Sequence, residues 1–479
     1  MLSTAKNTFY LLVAYTYQKL VALFYFILLA RYLGVANFGR YTFALSFTTL
    51  FSVLVCFGLH AVLTREIARD RTKTKSYFGN IFSFQLLTGL GSLGLIYILI
   101  NALGYPAITK NLVYLAGLIM LLDSLALTFY HVFRGHLNLK FESLGIIIHK
   151  TVMVALGVVL MKLGASLVLM MAPLLAGSLF YLGNAIFFLR KKLGLWPVFR
   201  FEKQVLKFLL KLAIPFFIAL IFSKLYASID VILLSKLGGD KFVGLYSAAQ
   251  KLILAFLLLI AGSFGSAIYP SFSYWFVRSR EKLSLLFHES VFYLMLITLP
   301  LVFGVAILSR PIILFIYGAE YLEATRAMII LGLAMPFMFI DYIMAGLLNA
   351  CERQRTNTTI HGAGVVILII LNVILIPLWY HLGASIACLA SFLVIFLLEA
   401  YFVPKLVRPD RGYLFKKIGG IFFACLIMTG FLLLASAKIH LILSVALGAV
   451  VYLVSLYLLR TIRKQDLIAL KDLILEKER

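Results

Sequence analysis

Blocks of about 20 or more consecutive apolar residues, separated by short polar stretches, recur along nearly the whole chain from Thr8 onward, and a helix needs about that many to cross a hydrocarbon core. In lipid every backbone N–H and C=O must be satisfied inside the protein, which leaves helices and closed barrels as the spanning structures. The blocks do not alternate apolar with polar residues, so a barrel is excluded. The charged fraction is 13% against 63% hydrophobic residues, where soluble domains carry about 25% charged residues. The chain therefore reads as an all-α polytopic membrane protein with about 14 transmembrane helices. The first block, about 25 residues from Thr8, is longer than a signal-peptide core and lacks a small-residue cleavage pattern, so it is read as a retained first span.

A net charge of +25 raises the question of nucleic acid. The basic residues lie in the loops: Arg65 to Lys75, Arg134 to Lys150, Arg190 to Lys211, Arg278 to Lys282, Lys405 to Lys417 and the tail from Arg460 all fall on one face of the predicted topology. About 32 Lys and Arg lie on that face and about 9 on the other, the bias that marks the cytoplasmic side. Both termini are read as cytoplasmic, in the cytoplasmic (inner) membrane, and the charge is topological, so no nucleic-acid partner is called for. Cys56, Cys351, Cys388 and Cys425 are far apart and show neither disulfide nor metal spacing.

The chain repeats itself. Lys19-Leu20 matches Lys224-Leu225, Ile27-Leu28-Leu29 matches Ile232-Leu233-Leu234, and Gly39 with Tyr41 matches Gly244 with Tyr246, all at an offset of 205 residues. The turns that follow read LGVANFGRY and LGGDKFVGLY. Six spans separate the copies, so both halves enter the membrane in the same sense and are related by an axis along its normal. Two pseudo-symmetric six-helix lobes, 1–195 and 196–408, are expected, followed by two extra helices and a basic tail over 409–479.

Ionisable residues within spans are costly and normally face a cavity or a partner. Lys19 and Lys224 lie near mid-span at equivalent places in the repeat, where two ammonium groups lining one cleft suit an anion. The bland alternative is that each snorkels or pairs. Lys251 and Asp230 fall at similar depth across a hairpin and read as an ion pair, either structural or opening during transport. Asp123 and Asp341 occupy corresponding helices and are candidates for proton or sodium coupling, against simple interhelical hydrogen bonds. Pro173, Pro215, Pro300, Pro336 and Pro377 bend their helices. The eight histidines are scattered, no Gly-rich phosphate loop or catalytic pair is present, and the loops are short. Neither an enzyme, a cofactor nor a metal site is expected, and transport is favoured.

The segments RYLGVANFGRYTFA, VLTREIA, LGGDKFVGLYSAAQKL and QRTNTTIHGAGVVILIILNVILIPLWYHLGASIA resemble the polysaccharide-unit flippases of the multidrug, oligosaccharidyl-lipid and polysaccharide exporter superfamily, over nearly the whole chain. The resemblance implies two lobes forming a V-shaped cavity lined by spans one, two, seven and eight. It also implies a substrate, an oligosaccharide on a polyprenyl pyrophosphate carrier, flipped from the inner to the outer leaflet by alternating access. Lys19, Lys224 and Lys251 match helices that carry cavity-lining basic residues in that family, and Arg65 matches its basic residue ending span two. Membrane lipids, and the polysaccharide polymerase and chain-length machinery, are the implied partners. Two other transporters share the superfamily: the drug and cation antiporters, whose acidic residue in the N-terminal lobe is replaced here by a lysine in span one, and a peptidoglycan-precursor flippase with the same pyrophosphate-lipid handle. A non-transporting scaffold of an assembly complex is the rival from another class.

Overall fold

The computed structural model describes residues 2–407, 410–435 and 439–461, with side chains from Phe9 onward except at position 411. The basic tail beyond residue 461 lies outside the described residues. Among the described residues there is no strand. The helices are α1 (Leu2–Cys56), α2 (Leu59–Arg69), α3 (Thr74–Ala102), α4 (Ala107–Gly135), α5 (Lys140–Lys162), α6 (Ala172–Leu193), α7 (Lys203–Leu237), α8 (Asp240–Phe256), α9 (Gly262–Arg278), α10 (Arg280–Ile316), α11 (Ala324–Ala350), α12 (Gln354–Phe402), α13 (Arg411–Ala435) and α14 (Leu441–Leu458).

Twelve helical runs among the described residues are long and apolar enough to cross a membrane. The sequence reading counts about fourteen, and the difference lies in two long runs, Phe9–Arg69 with 61 residues and Gln354–Lys405 with 52. Each is interrupted by non-helical backbone, at Gly34 (φ 70°, ψ 171°) in α1 and at Tyr380 (φ 47°, ψ −122°) in α12. Large apolar side chains such as Leu12, Phe24, Ile98, Phe187, Ile374 and Leu453 stand exposed along these helices. Contiguous apolar surface on this scale suits lipid rather than water. The protein is a multi-pass helical membrane protein.

Two compact units divide the chain, Met1–Gly244 and Leu245–Arg479, with the boundary inside α8. In the first, α1 packs on α4, α5 and α7, while α4 also carries α2, α3 and α6. Its core gathers Leu59 and Leu63 of α2, Phe129 and Phe133 of α4, Tyr181 of α6 and Leu209 of α7. Because lipid tails are as apolar as these side chains, the packing rests on close van der Waals fit and on polar links between helices rather than on escape from water. In the second unit α11 packs on α9, α10 and α12, and α13 packs on α10 and α14. The helix α7, which the repeat assigns to the second lobe, packs on α1, α2 and α3.

The repeat reaches the backbone. Gly34 and Gly239, which share the 205-residue offset of Lys19 and Lys224, both adopt positive φ, 70° and 94°. That conformation is cheap only for a residue without Cβ. The two turns are also tied by an ion pair, Arg40 Nε to Asp240 Oδ2 at 2.7 Å.

Candidate functional site

The first unit contains a pocket of about 390 Å³ walled by α1, α2, α4, α6 and α7. Its polar lining comes from Thr48, Thr49, Ser52 and Cys56 of α1, His60 of α2, Asp123 and Ser124 of α4 and Lys224 of α7. Apolar blocks build these helices; α1 contributes several polar side chains to the wall, α2, α4 and α7 one or two each, and α6 only Leu174, a pattern by which a membrane protein makes a wet site. Among the described residues no carboxylate comes within 4 Å of the Lys224 ammonium. Asp123 lies near enough to Lys150 of α5 for their charges to interact. Two ammonium groups therefore stand against one carboxylate in and beside this pocket.

A hydrogen-bonded chain continues behind the wall. His60 Nε2 meets Thr128 Oγ1 at 2.9 Å and Gln85 Nε2 at 3.3 Å, and Thr128 donates to Gln85 Oε1. The His60 ring stacks on His131 with centroids 4.8 Å apart, and His131 Nδ1 meets Thr64 Oγ1 at 2.8 Å. Further along α4, Arg134 Nε donates to Glu142 Oε2 of α5 at 2.7 Å, and Arg134 also donates to the Tyr15 hydroxyl at 2.6 Å. Glu142 is buried. Sequence reading takes Arg134 to Lys150 as a cytoplasmic loop; the structure corrects this, since α4 runs to Gly135 and α5 starts at Lys140. A run of basic residues hid two interhelical links.

Of the other residues singled out from sequence, Lys19 is half-buried on α1 and is not part of the pocket wall. Arg65, at the end of α2, is paired with Glu66 at 2.9 Å. Asp230 is buried near the end of α7, where its Oδ1 accepts from the Val231 N–H at 2.9 Å. Lys251 is half-buried on α8 and belongs to the second unit, Asp230 to the first.

Asp341 lines a groove of about 500 Å³ in the second unit, with Gly262, Ser266, Tyr269, Tyr342 and Asn349 among its neighbours. Its carboxylate does not stand alone: His361 Nε2 of α12 lies 3.3 Å from Asp341 Oδ1. Glu399, at the far end of α12, completes a group whose three candidate ligand atoms lie within 4.8 Å of one another. No sequence spacing announces this cluster, because its members come from three apolar blocks. A five-residue π-helical segment, Leu257–Ala261 between α8 and α9, leads directly into Gly262 of the groove wall, a deformation that recurs at functional sites.

The model of the family described as polysaccharide biosynthesis protein matches residues 4–276, and that of the MatE family matches residues 215–374. A probable low-salt glycan biosynthesis flippase, Agl15 of Haloferax volcanii, is 27% identical over 52% of this chain. The chain spans about half the length of that relative, 53%. The capsular polysaccharide biosynthesis protein CapF of Staphylococcus aureus is 21% identical over 84% of this chain and 99% of its own length. Among solved structures, the lipid II flippase MurJ in an inward closed conformation superposes with a TM-score of 0.76 at 19% identity, covering 92% of this chain and 97% of that one. The likeness to MurJ is one of fold.

Proposed function

The chain belongs to the polysaccharide biosynthesis protein family, and from that membership we propose that it is a flippase moving a polyprenyl-pyrophosphate-linked oligosaccharide from the inner to the outer leaflet. The observation that carries the reading is Lys224, an ammonium on the wall of a mid-helix pocket without a carboxylate partner among the described residues. An isolated charge in a low-dielectric medium costs on the order of tens of kcal/mol, so a pyrophosphate cannot cross bare hydrocarbon. A cationic cavity replaces its hydration while the polyprenyl tail stays in lipid. Lys19 at the equivalent repeat position, Lys251 and Arg65 are the other basic residues assigned to the cargo. Alternating access by rocking of the lobes moves the head group between leaflets. The names of Agl15 and CapF support a glycan substrate. The loop bias of Lys and Arg supports a cytoplasmic-membrane orientation with both ends inside.

The test is a proteoliposome assay with the lipid-linked oligosaccharide, its leaflet read by a membrane-impermeant glycosidase. Replacing Lys19 and Lys224 together with Ala stops flipping while the protein still inserts and shows a cooperative thermal transition. Full flipping by that folded double variant removes the anionic-cargo reading.

Asp123 on the same pocket wall favours one second reading, an ion-coupled antiporter for drugs or other cations. That activity confers resistance to cationic compounds and depends on Asp123 or Asp341, whereas a flippase of anionic lipid depends on the lysines.

A further inference from the structure

The geometry points to a binding site for a divalent metal ion of the zinc or manganese class, formed by Asp341, His361 and Glu399 in the second unit. The residues bring two carboxylates and one imidazole together inside apolar helices, their candidate ligand atoms within 4.8 Å of one another. Glu399 is 0% exposed, its carboxyl faces that of Asp341, and no amide, hydroxyl or basic group reaches either of its oxygens. No such group donates to Asp341 Oδ1 either, although His361 Nε2 approaches it at 3.3 Å. A fully buried carboxylate with only a second carboxyl group to face is costly, and the groups gathered around it are metal ligands.

Charge and ligand type select the ion. Acting as metal ligands, the two carboxyl groups are deprotonated and carry two negative charges, which one divalent ion cancels and an alkali ion does not. Calcium and magnesium prefer all-oxygen shells, while an imidazole nitrogen beside carboxylates suits zinc and its first-row neighbours. Metal–ligand bonds of about 2.1 Å draw donor atoms to within about 3–4 Å of each other, a distance that small side-chain rotations reach from the spacing seen. Three protein ligands leave a position for water. Access is provided by the groove of about 500 Å³ whose wall Asp341 forms.

This site is separate from the pocket of the first unit, and its test involves no lipid substrate. The full chain, purified in nanodiscs with a tag that lacks histidine, is titrated with cobalt(II), whose visible absorption reports coordination, and then with zinc(II) as competitor. One cobalt per chain binds and zinc displaces it. Glu399→Gln, which keeps shape, and His361→Ala each weaken binding by about 100-fold. Zinc also raises the thermal transition of the wild type but not that of Glu399→Gln. The proposal is overturned when folded wild type takes up no cobalt at millimolar concentration, or when wild type and both variants bind it equally.

Discussion

Gly39 and Gly244, equivalent residues of the repeat, each lie against the other's turn: a Cβ on Gly39 would stand 1.9 Å from the Asp240 carbonyl oxygen, and one on Gly244 would stand 2.0 Å from that of Val35. Asp240 is itself the repeat equivalent of Val35 at the 205-residue offset. The two contacts are thus one contact seen twice, as a pseudo-two-fold axis requires. It is the repeat's most direct imprint on the packing.

Either glycine replaced by alanine forces backbone apart, because the obstructing atoms belong to main chain and not to a flexible side chain. Overpacking of this kind costs about 1–3 kcal/mol, and the reciprocal geometry makes the two substitutions alike. Thermal unfolding in nanodiscs measures it: Gly39→Ala and Gly244→Ala lower the transition by similar amounts, whereas alanine at Gly183, which has open space around its Cβ position, leaves it unchanged.

The Arg134–Glu142 link predicts a specific inequality. Glu142 is 1% exposed and Arg134 26%, so removing the arginine alone strands a carboxylate away from water. Breaking such a pair costs about 3–5 kcal/mol, and replacing both members with apolar residues of similar volume costs far less. Arg134→Met should unfold well before Arg134→Met combined with Glu142→Leu. A double-mutant cycle on thermal or denaturant stability checks the ordering, and equal stability of the single and double variants would falsify it.

Asp123 and Lys224 share a pocket but have opposite consequences for cargo. Under the flippase reading Lys224→Ala lowers the flipping rate by more than about tenfold, equivalent to about 1.4 kcal/mol of lost stabilisation, and Lys224→Arg restores most of it. Asp123→Asn leaves a substantial rate. Proteoliposome initial rates decide this; a rate that collapses with Asp123→Asn and survives Lys224→Ala reverses the assignment toward a cation substrate.

Much of this was legible because lipid imposes a coarse code. Apolar blocks mark the spanning helices, and the repeat pairs Gly34 with Gly239, both at positive φ, although of Lys19 and Lys224 only Lys224 lines the pocket. What periodicity could not show is which polar residues meet. Lys150 looked like part of a basic loop, yet it lies inside α5 beside Asp123. His361 looked like one of eight scattered histidines, and Glu399 drew no notice near the end of an apolar block. Their meeting with Asp341 depends on how α11 and the two parts of α12 pack, and α12 turns at Tyr380, whose positive φ of 47° no propensity rule predicts. Spacing motifs find ligands on one helix; they are blind to ligands gathered from several.

The linker before α7 carries a titratable clamp. Its Glu202 side chain accepts from Ser76 Oγ at 2.9 Å, the Glu202 N–H donates to Asn80 Oδ1 at 2.7 Å, and the Arg200 N–H donates to Ser83 Oγ at 2.8 Å. The Ser76 hydroxyl, with help from Arg200 and Asn80, holds the Glu202 carboxyl below the ordinary glutamate range. A carboxyl whose pKa is depressed in the folded state contributes stability that is present above its unfolded pKa and lost as pH falls through the folded one. The clamp is therefore intact at neutral pH and loosens only in acid. Hydrogen exchange of the Arg200 and Glu202 amides, corrected for intrinsic rates, reports it: protection falls on acidification in the wild type. In Glu202→Gln, protection is already low at neutral pH and nearly flat across the same range, and a wild-type profile as flat as the variant's removes the clamp.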